Sequence, residues 1–369
     1  MSVAETYKLG TAKVPIWPFA RGKDITPPQS LSDVASDASA ATPTLLSQLE
    51  AGEIPMLCGG WTAAQERSVV EPYEYLSQQS GKNVRGKLIW AFNEWTRVPA
   101  ERLEIIERVV NTLHTASLMI DDIQDGSTLR RGVPAAHEVF GAAQTINSAN
   151  YAYFLALREL RQLANPGAVD VFVEELIELH RGQGLDLLWR DSMQCPDEDE
   201  YVHMVARKTG GLFRLAIRLM QAESDCKLEL CDLAGLIGIT FQIRDDYLNL
   251  CSTQYTDAKG FCEDLSEGKF SFLVIHGIHA EQDRGGNNNE GGQLFDIVQS
   301  HSTDVAAKMR AISLLEQLGS FEYTRGVLDA LVRRTRRMVE SFDAQAGGAG
   351  GGRGITAILD AMGLDSAAR

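Results

Sequence analysis

The stretch "RLEIIERVVNTLHTASLMIDDIQDGSTLRRG", Arg102 to Gly132, decides the fold class. Its apolar or small positions Leu103, Ile106, Val110, Leu113, Ser117 and Ile120 step by 3, 4, 3, 4 and 3 residues. That alternation belongs to an α-helix with one buried face. The pattern then breaks into charge: Asp121, Asp122 and Asp125 fall within five positions, and Arg130 and Arg131 follow. Carboxylates at i and i+4 share a helix face, and such like-charge pairs cost roughly 0.2–0.5 kcal/mol. Something outside the helix must offset that repulsion.

Working outward, "DVFVEELIELHRGQGLDLLWRD" (Asp170–Asp191) and "LCDLAGLIGITFQIRDDYLNL" (Leu230–Leu250) carry similar helical patterns. No segment alternates with period two between turn signals, and no solenoid repeat is visible. Helices that are apolar around much of their circumference must pack on one another. The expectation is all-α: a large single-domain helical bundle around a central cavity. Residues 1–65 read as a flexible N-terminal arm, with Ala, Ser, Thr, Pro and Asp dominating the first 45 or so. Residues 66–342 read as the helical domain, and 343–369 as a Gly-rich loop and a C-terminal helix. "EQDRGGNNNEGGQ" (Glu281–Gln293) and "DAQAGGAGGGRG" (Asp343–Gly354) are surface loops by composition.

Composition bounds the partners. The chain has 369 residues, 44% of them hydrophobic, and a net charge of −15. A field of that sign argues against nucleic acid and anionic membrane surfaces as partners. An anionic small molecule stays open, because local cations can invert the sign within one cleft. No run of 18 or more apolar residues appears, so no membrane span is expected. The N-terminal stretch lacks the apolar core of a secretion signal, and "DSAAR" carries no lipidation or peroxisomal motif. The six cysteines (Cys58, Cys195, Cys226, Cys231, Cys251, Cys262) form no CxxC pair and read as reduced thiols of a cytoplasmic protein.

A second cluster, Asp245, Asp246 and Asn249 in "FQIRDDYLNL", repeats the i, i+1, i+4 spacing of the first. One such run alone reads as an exposed acidic helix end. Two, each closing an apolar helix, would face each other across a cavity. All-oxygen donor sets of this kind suit Mg²⁺ shared with substrate phosphates. A calcium loop starting at Asp121 fails, since its third and twelfth positions are Ile123 and Gly132. Cations accompany the clusters: Lys82 and Arg85 in "GKNVR", Arg130 and Arg131, Lys208 in "KTGG", where the Gly pair can kink its helix, and Lys259 and Lys269 in "DAKGFCEDLSEGK". Singly each reads as a surface charge. Together with twin metal clusters they describe a cavity for two polyphosphates, one held through metals and one held directly.

These motifs resemble the trans-isoprenyl diphosphate synthase (polyprenyl synthetase) family, and within it the fungal geranylgeranyl diphosphate synthases. The match runs from about Val69 to Phe272. "GKNVR", "LHTASLMIDDIQDGSTLRRG", "INSANYAYF", "LHRGQGLD", "KTGG", "FQIRDDYLNL" and "EDLSEGKFSF" stand in the family's order.

The resemblance implies that Asp121, Asp122, Asp125 and Asp245 hold about three Mg²⁺ ions on an allylic diphosphate, with Asp246 behind them or assisting a lysine. It implies that Lys82, Arg85, His114 and Arg131 bind isopentenyl diphosphate. Arg130, Lys208 and Lys259 would contact the allylic diphosphate, with Lys269 nearby, and Thr209 and Gln242 would turn oxygens toward a developing carbocation. The implied reaction condenses isopentenyl diphosphate with dimethylallyl, geranyl or farnesyl diphosphate. Ionisation comes first, then attack by the alkene, then loss of a proton to the pyrophosphate. The implied assembly is a homodimer or a higher homo-oligomer.

Product length follows from the helix wall. Ala116 and Ser117 lie one turn, roughly 6 Å, below Asp121. Aromatic residues there mark the fifteen-carbon enzymes of the resembling family, so small ones open the channel. Tyr153, Phe154 and His180 match its floor for twenty carbons. Two positions depart from the pattern: Asn249 replaces an aspartate, and Leu273 stands where many relatives carry proline. A class I terpene cyclase would need an NDxxSxxxE motif, which is absent, and has no use for "GKNVR". A non-catalytic partner subunit would lose aspartates that this chain keeps. The prenyltransferase domain of a fungal chimeric terpene synthase is the remaining alternative, with which the low-complexity arm before residue 46 is compatible, and its product would have twenty, twenty-five or more carbons.

Overall fold

The structure is a computed structural model that describes residues 45–51, 61–79, 81, 83–251, 261–285, 292–348 and 351–362. Sixteen α-helices dominate the described residues. Contacts divide the chain into two units, 1–60 and 61–369. In the first, the described residues form one short helix, α1 (Leu45–Glu50). Residues 1–44 and 52–60, most of the expected arm, lie outside the described residues.

The second unit runs through α2 (Ala63–Ser77), α3 (Val84–Thr96) and α4 (Ala100–Asp125), then a short hairpin, β1 (Leu129–Arg130) and β2 (Val133–Pro134). α5 (Ala136–Phe140), α6 (Ala142–Leu160), α7 (Pro166–Ser192), α8 (Glu198–Lys208), α9 (Gly210–Ala222) and α10 (Cys231–Cys251) follow. The remainder is α11 (Glu263–Glu267), α12 (Phe272–Gly285), α13 (Gln293–Gln299), α14 (Val305–Gln317), α15 (Ser320–Gln345) and α16 (Arg353–Ala361).

The helix read from the opening stretch is α4. Its stripe residues Leu103, Ile106, Val110 and Leu113 are buried, and Ser117 and Ile120 are half-buried. One apolar cluster joins α4 to α3, α7, α9 and α10. A smaller one joins it to α2 and α6 through Leu76, Ala116, Met119 and Ala152. A further cluster ties α8 and α10 to α12–α15. Local signals fix the helix starts. Thr62 and Asp197 open capping boxes with Gln65 and Glu200, and Asn165 caps α7 beside Pro166. Each such cap is worth about 1 kcal/mol.

Two features differ from the sequence reading. The hairpin was not foreseen, since two-residue strands leave no periodicity to detect. Its pairing of Arg130 with Val133 leaves Arg131 and Gly132 as the loop, both at positive φ, 56° and 79°. That matches a mirror-image hairpin turn, which favours glycine and costs an arginine strain. The Gly-rich stretch, read as a surface loop, is packed where it meets α3. Gly351 and Gly352 are buried, and a Cβ on Gly351 would come within 2.5 Å of the Trp95 ring. Asp343 accepts hydrogen bonds from Trp95 Nε1 and Gly352 N, both at 2.8 Å. The C-terminal helix therefore belongs to the same unit as the bundle.

Candidate active site

Close helix approaches assemble the site. A Cβ on Gly182 of α7 would fall 2.4 Å from the Lys208 backbone nitrogen, and one on Gly238 of α10 would fall 2.8 Å from Gly210 Cα. Only hydrogen fits at either place. These approaches draw the α8–α9 break at Thr209 against α7 and α10, which brings Lys208, Thr209, Asp186 and Gln242 into reach.

Around the first acidic cluster each carboxylate has a different environment. Asp122 is fully buried and Arg130 is 7% exposed. Arg130 Nε donates to Asp122 Oδ1 at 2.6 Å, and its NH2 group to the same oxygen. Asp122 Oδ2 is buried without a hydrogen-bond partner. Burial raises the Asp122 carboxyl above its ordinary range, against the pull of Arg130. Asp121 faces the cavity, with Gln183 Nε2 at 3.2 Å and Lys208 Nζ at 3.6 Å. Asp125 accepts from Arg190 at 2.8 Å, while burial and the Asp121 charge push its carboxyl up to about 7.

The second cluster lies on α10. Asp246 is buried and receives three donors: Tyr201 Oη at 2.5 Å, the Phe272 backbone N–H at 2.9 Å and Gln242 Nε2 at 2.8 Å. Thr209 Oγ1 donates to Gln242 Oε1 at 2.7 Å. Lys269 Nζ lies 3.8 Å from both Asp246 and Asp264. Burial pulls the Lys208 and Lys269 ammoniums down, but the surrounding aspartates more than reverse it, so both stay charged. The charge of Asp245 acts on Arg85, opposing the lowering by burial and Arg131. Asn249, in contrast, is buried, and its Oδ1 accepts from Asp264 N at 3.4 Å.

A separate cationic group forms between α3, α4 and the hairpin. Arg85 NH1 is 2.9 Å from His114 Nε2. A guanidinium can only donate, so Nε2 is the unprotonated ring nitrogen. Burial, then Arg85, Arg131 and Arg130, hold His114 well below its ordinary pKa, hence neutral. Burial and Arg131 lower Arg85 itself to about 10. Arg131 donates to the Gln79 carbonyl at 2.9 Å. An apolar void lined by Leu88, Phe92, Leu212 and Phe213 lies beneath Arg85. Lys82 and Lys259 fall outside the described residues.

The product-length candidates separate. Ser117 Oγ donates to the His114 carbonyl at 2.9 Å, one turn further below. Ala116 packs in the seam with Leu76 and Ala152. Tyr153 and His180 lie together, ring centroids 5.9 Å apart, and burial and Asp121 raise the Tyr153 phenol to about 12. Phe154 is not brought to them. It is 70% exposed and points out of the bundle, because it follows Tyr153 by one residue and so turns about 100° around the helix.

Sequence reasoning missed three residues of α7 that face the first cluster. Gln183 reaches Asp121, Asp186 pairs with Lys208 at 2.6 Å, and Arg190 pairs with Asp125. Their signal was a spacing of i, i+3 and i+7, which puts the three polar side chains on one face of the helix. Among the described residues, no three His, Cys, Asp or Glu side chains converge tightly enough to hold an ion as they stand. The donor chemistry nevertheless fits a hard dication. The groups are carboxylates, Asp122 Oδ2 is left unpartnered, and Asp125 resists ionisation beside Asp121. No helix among the described residues is long and apolar enough to cross a membrane.

Comparison with known proteins adds an independent result. A profile described as polyprenyl synthetase matches residues 66–315. The chain is 51% identical over 302 residues to a geranylgeranyl pyrophosphate synthase of Hypoxylon pulicicidum, covering 82% of this chain and 76% of that one. It is 49% identical over 331 residues to a geranylgeranyl pyrophosphate synthase of Macrophomina phaseolina, covering 90% and 99%. A copalyl diphosphate synthase of Talaromyces verruculosus is 50% identical over 305 residues, which span 83% of this chain but 31% of that protein.

Proposed function

This chain belongs to the polyprenyl synthetase family, and from that premise we propose that it makes geranylgeranyl diphosphate. The reaction is prenyl transfer from an allylic diphosphate to isopentenyl diphosphate. The observation that carries this reading is the pair of anion sites. Arg85, His114 and Arg131 form one, and Lys208 and Lys269, set between two acidic clusters, form the other.

Isopentenyl diphosphate takes the first site. Arg85 and Arg131 repel each other there, and an anion relieves that repulsion. His114, neutral and with its proton on Nδ1, is held by Arg85. Lys82 would complete the site. The allylic diphosphate takes the second, against Lys208 and Lys269, with Lys259 joining them and Arg130 fixed behind by Asp122. Mg²⁺, about three ions by family likeness, would be held by Asp121, Asp125, Asp245 and Asp122 Oδ2, and would supply positive charge against the diphosphate. Lys208 and Lys269 stay protonated in burial, so their charge is already aimed at the departing pyrophosphate. Such preorganised charge is the largest source of catalysis in most enzymes. Thr209 and Gln242 turn oxygens toward the allylic carbon as positive charge grows there. The alkene of isopentenyl diphosphate attacks that carbon, and the pyrophosphate takes the proton.

Ala116 and Ser117 leave the channel below Asp121 open, and Tyr153 with His180 closes it at twenty carbons. Phe154 joins a different surface. With Ile146 on α6 and Val173, Ile177 and Leu188 on α7, it is an exposed apolar side chain, and we take these positions as one face. A second copy of the chain covers that face in a homodimer, and the protein works in the cytoplasm. The test is incubation with Mg²⁺, dimethylallyl diphosphate and isopentenyl diphosphate. A polyprenyl product with one pyrophosphate released per bond supports the reading; no product, or product undiminished by EDTA, refutes it.

A further inference from the structure

The hydrogen bonds around Asp246 run in one direction. A carboxylate has no proton to give, so it can only accept. Gln242 must therefore present its amide nitrogen to Asp246 Oδ1, at 2.8 Å, and its carbonyl oxygen to Thr209. That oxygen cannot donate, so the Thr209 hydroxyl donates to it, at 2.7 Å. The Thr209 hydroxyl proton is thereby committed, and its lone pairs are free to face the site. At the other end, Tyr201 Oη donates to Asp246 Oδ2 at 2.5 Å, beside the Phe272 N–H. Tyr201 is 1% exposed, so water cannot replace it. Its ring packs against Phe272, centroids 5.5 Å apart, which holds the hydroxyl in register.

We propose that Tyr201 is a positioning residue that anchors Asp246, the acceptor that directs the chain Thr209–Gln242–Asp246, so that both the Gln242 carbonyl and the Thr209 hydroxyl present oxygen to the developing allylic cation. This rests on the prenyl-transfer reading above. Tyr201 touches no substrate. It acts by satisfying Asp246 Oδ2, which keeps the carboxylate fixed and leaves Oδ1 to orient the Gln242 amide. Without that hydroxyl, Asp246 can rotate toward Lys269, 3.8 Å away, and the amide loses the group that distinguishes its two ends.

The experiment is a double-mutant cycle on the full chain with farnesyl and isopentenyl diphosphates. Tyr201→Phe should lower kcat by about tenfold or more, the size of one lost hydrogen bond to a charged group, with both KM values little changed. In a Gln242→Leu background the same change should cost less than about twofold, because residues acting through one network are not additive. Equal losses in both backgrounds, a loss confined to KM, or no loss would overturn the proposal while leaving prenyl transfer intact. A wild-type chain that makes no product would overturn both. Should Tyr201→Phe not fold, 3-fluorotyrosine at position 201 keeps the ring and strengthens the donor. A kcat that moves with donor strength supports the inference, and one that does not refutes it.

Discussion

Lys208 Nζ lies 2.6 Å from Asp186 Oδ2, joining the last residue of α8 to the C-terminal third of α7. The pair fixes a buried ammonium at the cavity wall, 3.6 Å from Asp121. Lys208→Met should therefore lower kcat by about 10²-fold or more, the scale for losing one preorganised charge partner. Steady-state kinetics should show little change in KM for isopentenyl diphosphate. A loss confined to that KM would assign Lys208 to the other diphosphate.

Asp121 and Asp122 are adjacent but differ in what they support. Removing the Asp122 charge strands a buried guanidinium, and breaking a buried pair from one side costs about 3–5 kcal/mol. Asp122→Asn should lose that much in urea unfolding without metal. Asp121, with a quarter of its side chain exposed to solvent, should lose less as Asp121→Asn, because water screens and replaces its contacts. Both variants should be inactive. Equal stability losses would contradict the assignment of Asp122 to Arg130.

His114 makes the fold sensitive to acid. Burial and three arginines put its folded pKa well below 6.5, the value an unperturbed histidine keeps in the unfolded chain. The unfolded state then binds the proton first. Stability is full above 6.5 and is lost as pH falls from there toward the folded value. His114→Gln should flatten that limb of a thermal-unfolding pH profile. An unchanged limb would place the acid sensitivity elsewhere.

Ser117→Phe puts a ring one turn below Asp121, where a growing tail must pass. Chromatography of the dephosphorylated products should show fifteen carbons in place of twenty. Unchanged length would mean that this wall does not line the channel.

The sequence carries the helical class and both acidic clusters because each is a local pattern. The α4 stripe and the two DDxx runs need no knowledge of neighbours. What it does not carry depends on docking. Asp121 and Asp122 look equivalent until the hairpin turns Arg130 inward onto one of them. Asp186 and Arg190 enter the site only because Gly182 lets α7 touch the end of α8. Phe154 shows the reverse case: beside Tyr153 in the chain, it lies on another face of α6. Gly351, Gly352 and Gly354 look like a surface loop by composition, yet they are small because Trp95, Val339 and Ala91 leave no room for a Cβ.

The most direct measurement is the product formed from Mg²⁺, farnesyl diphosphate and excess isopentenyl diphosphate. One addition, giving the twenty-carbon diphosphate and then stopping, is the predicted result. No elongation would contradict the prenyl-transfer reading itself, and a twenty-five-carbon product would contradict the placement of Tyr153 and His180 at the floor.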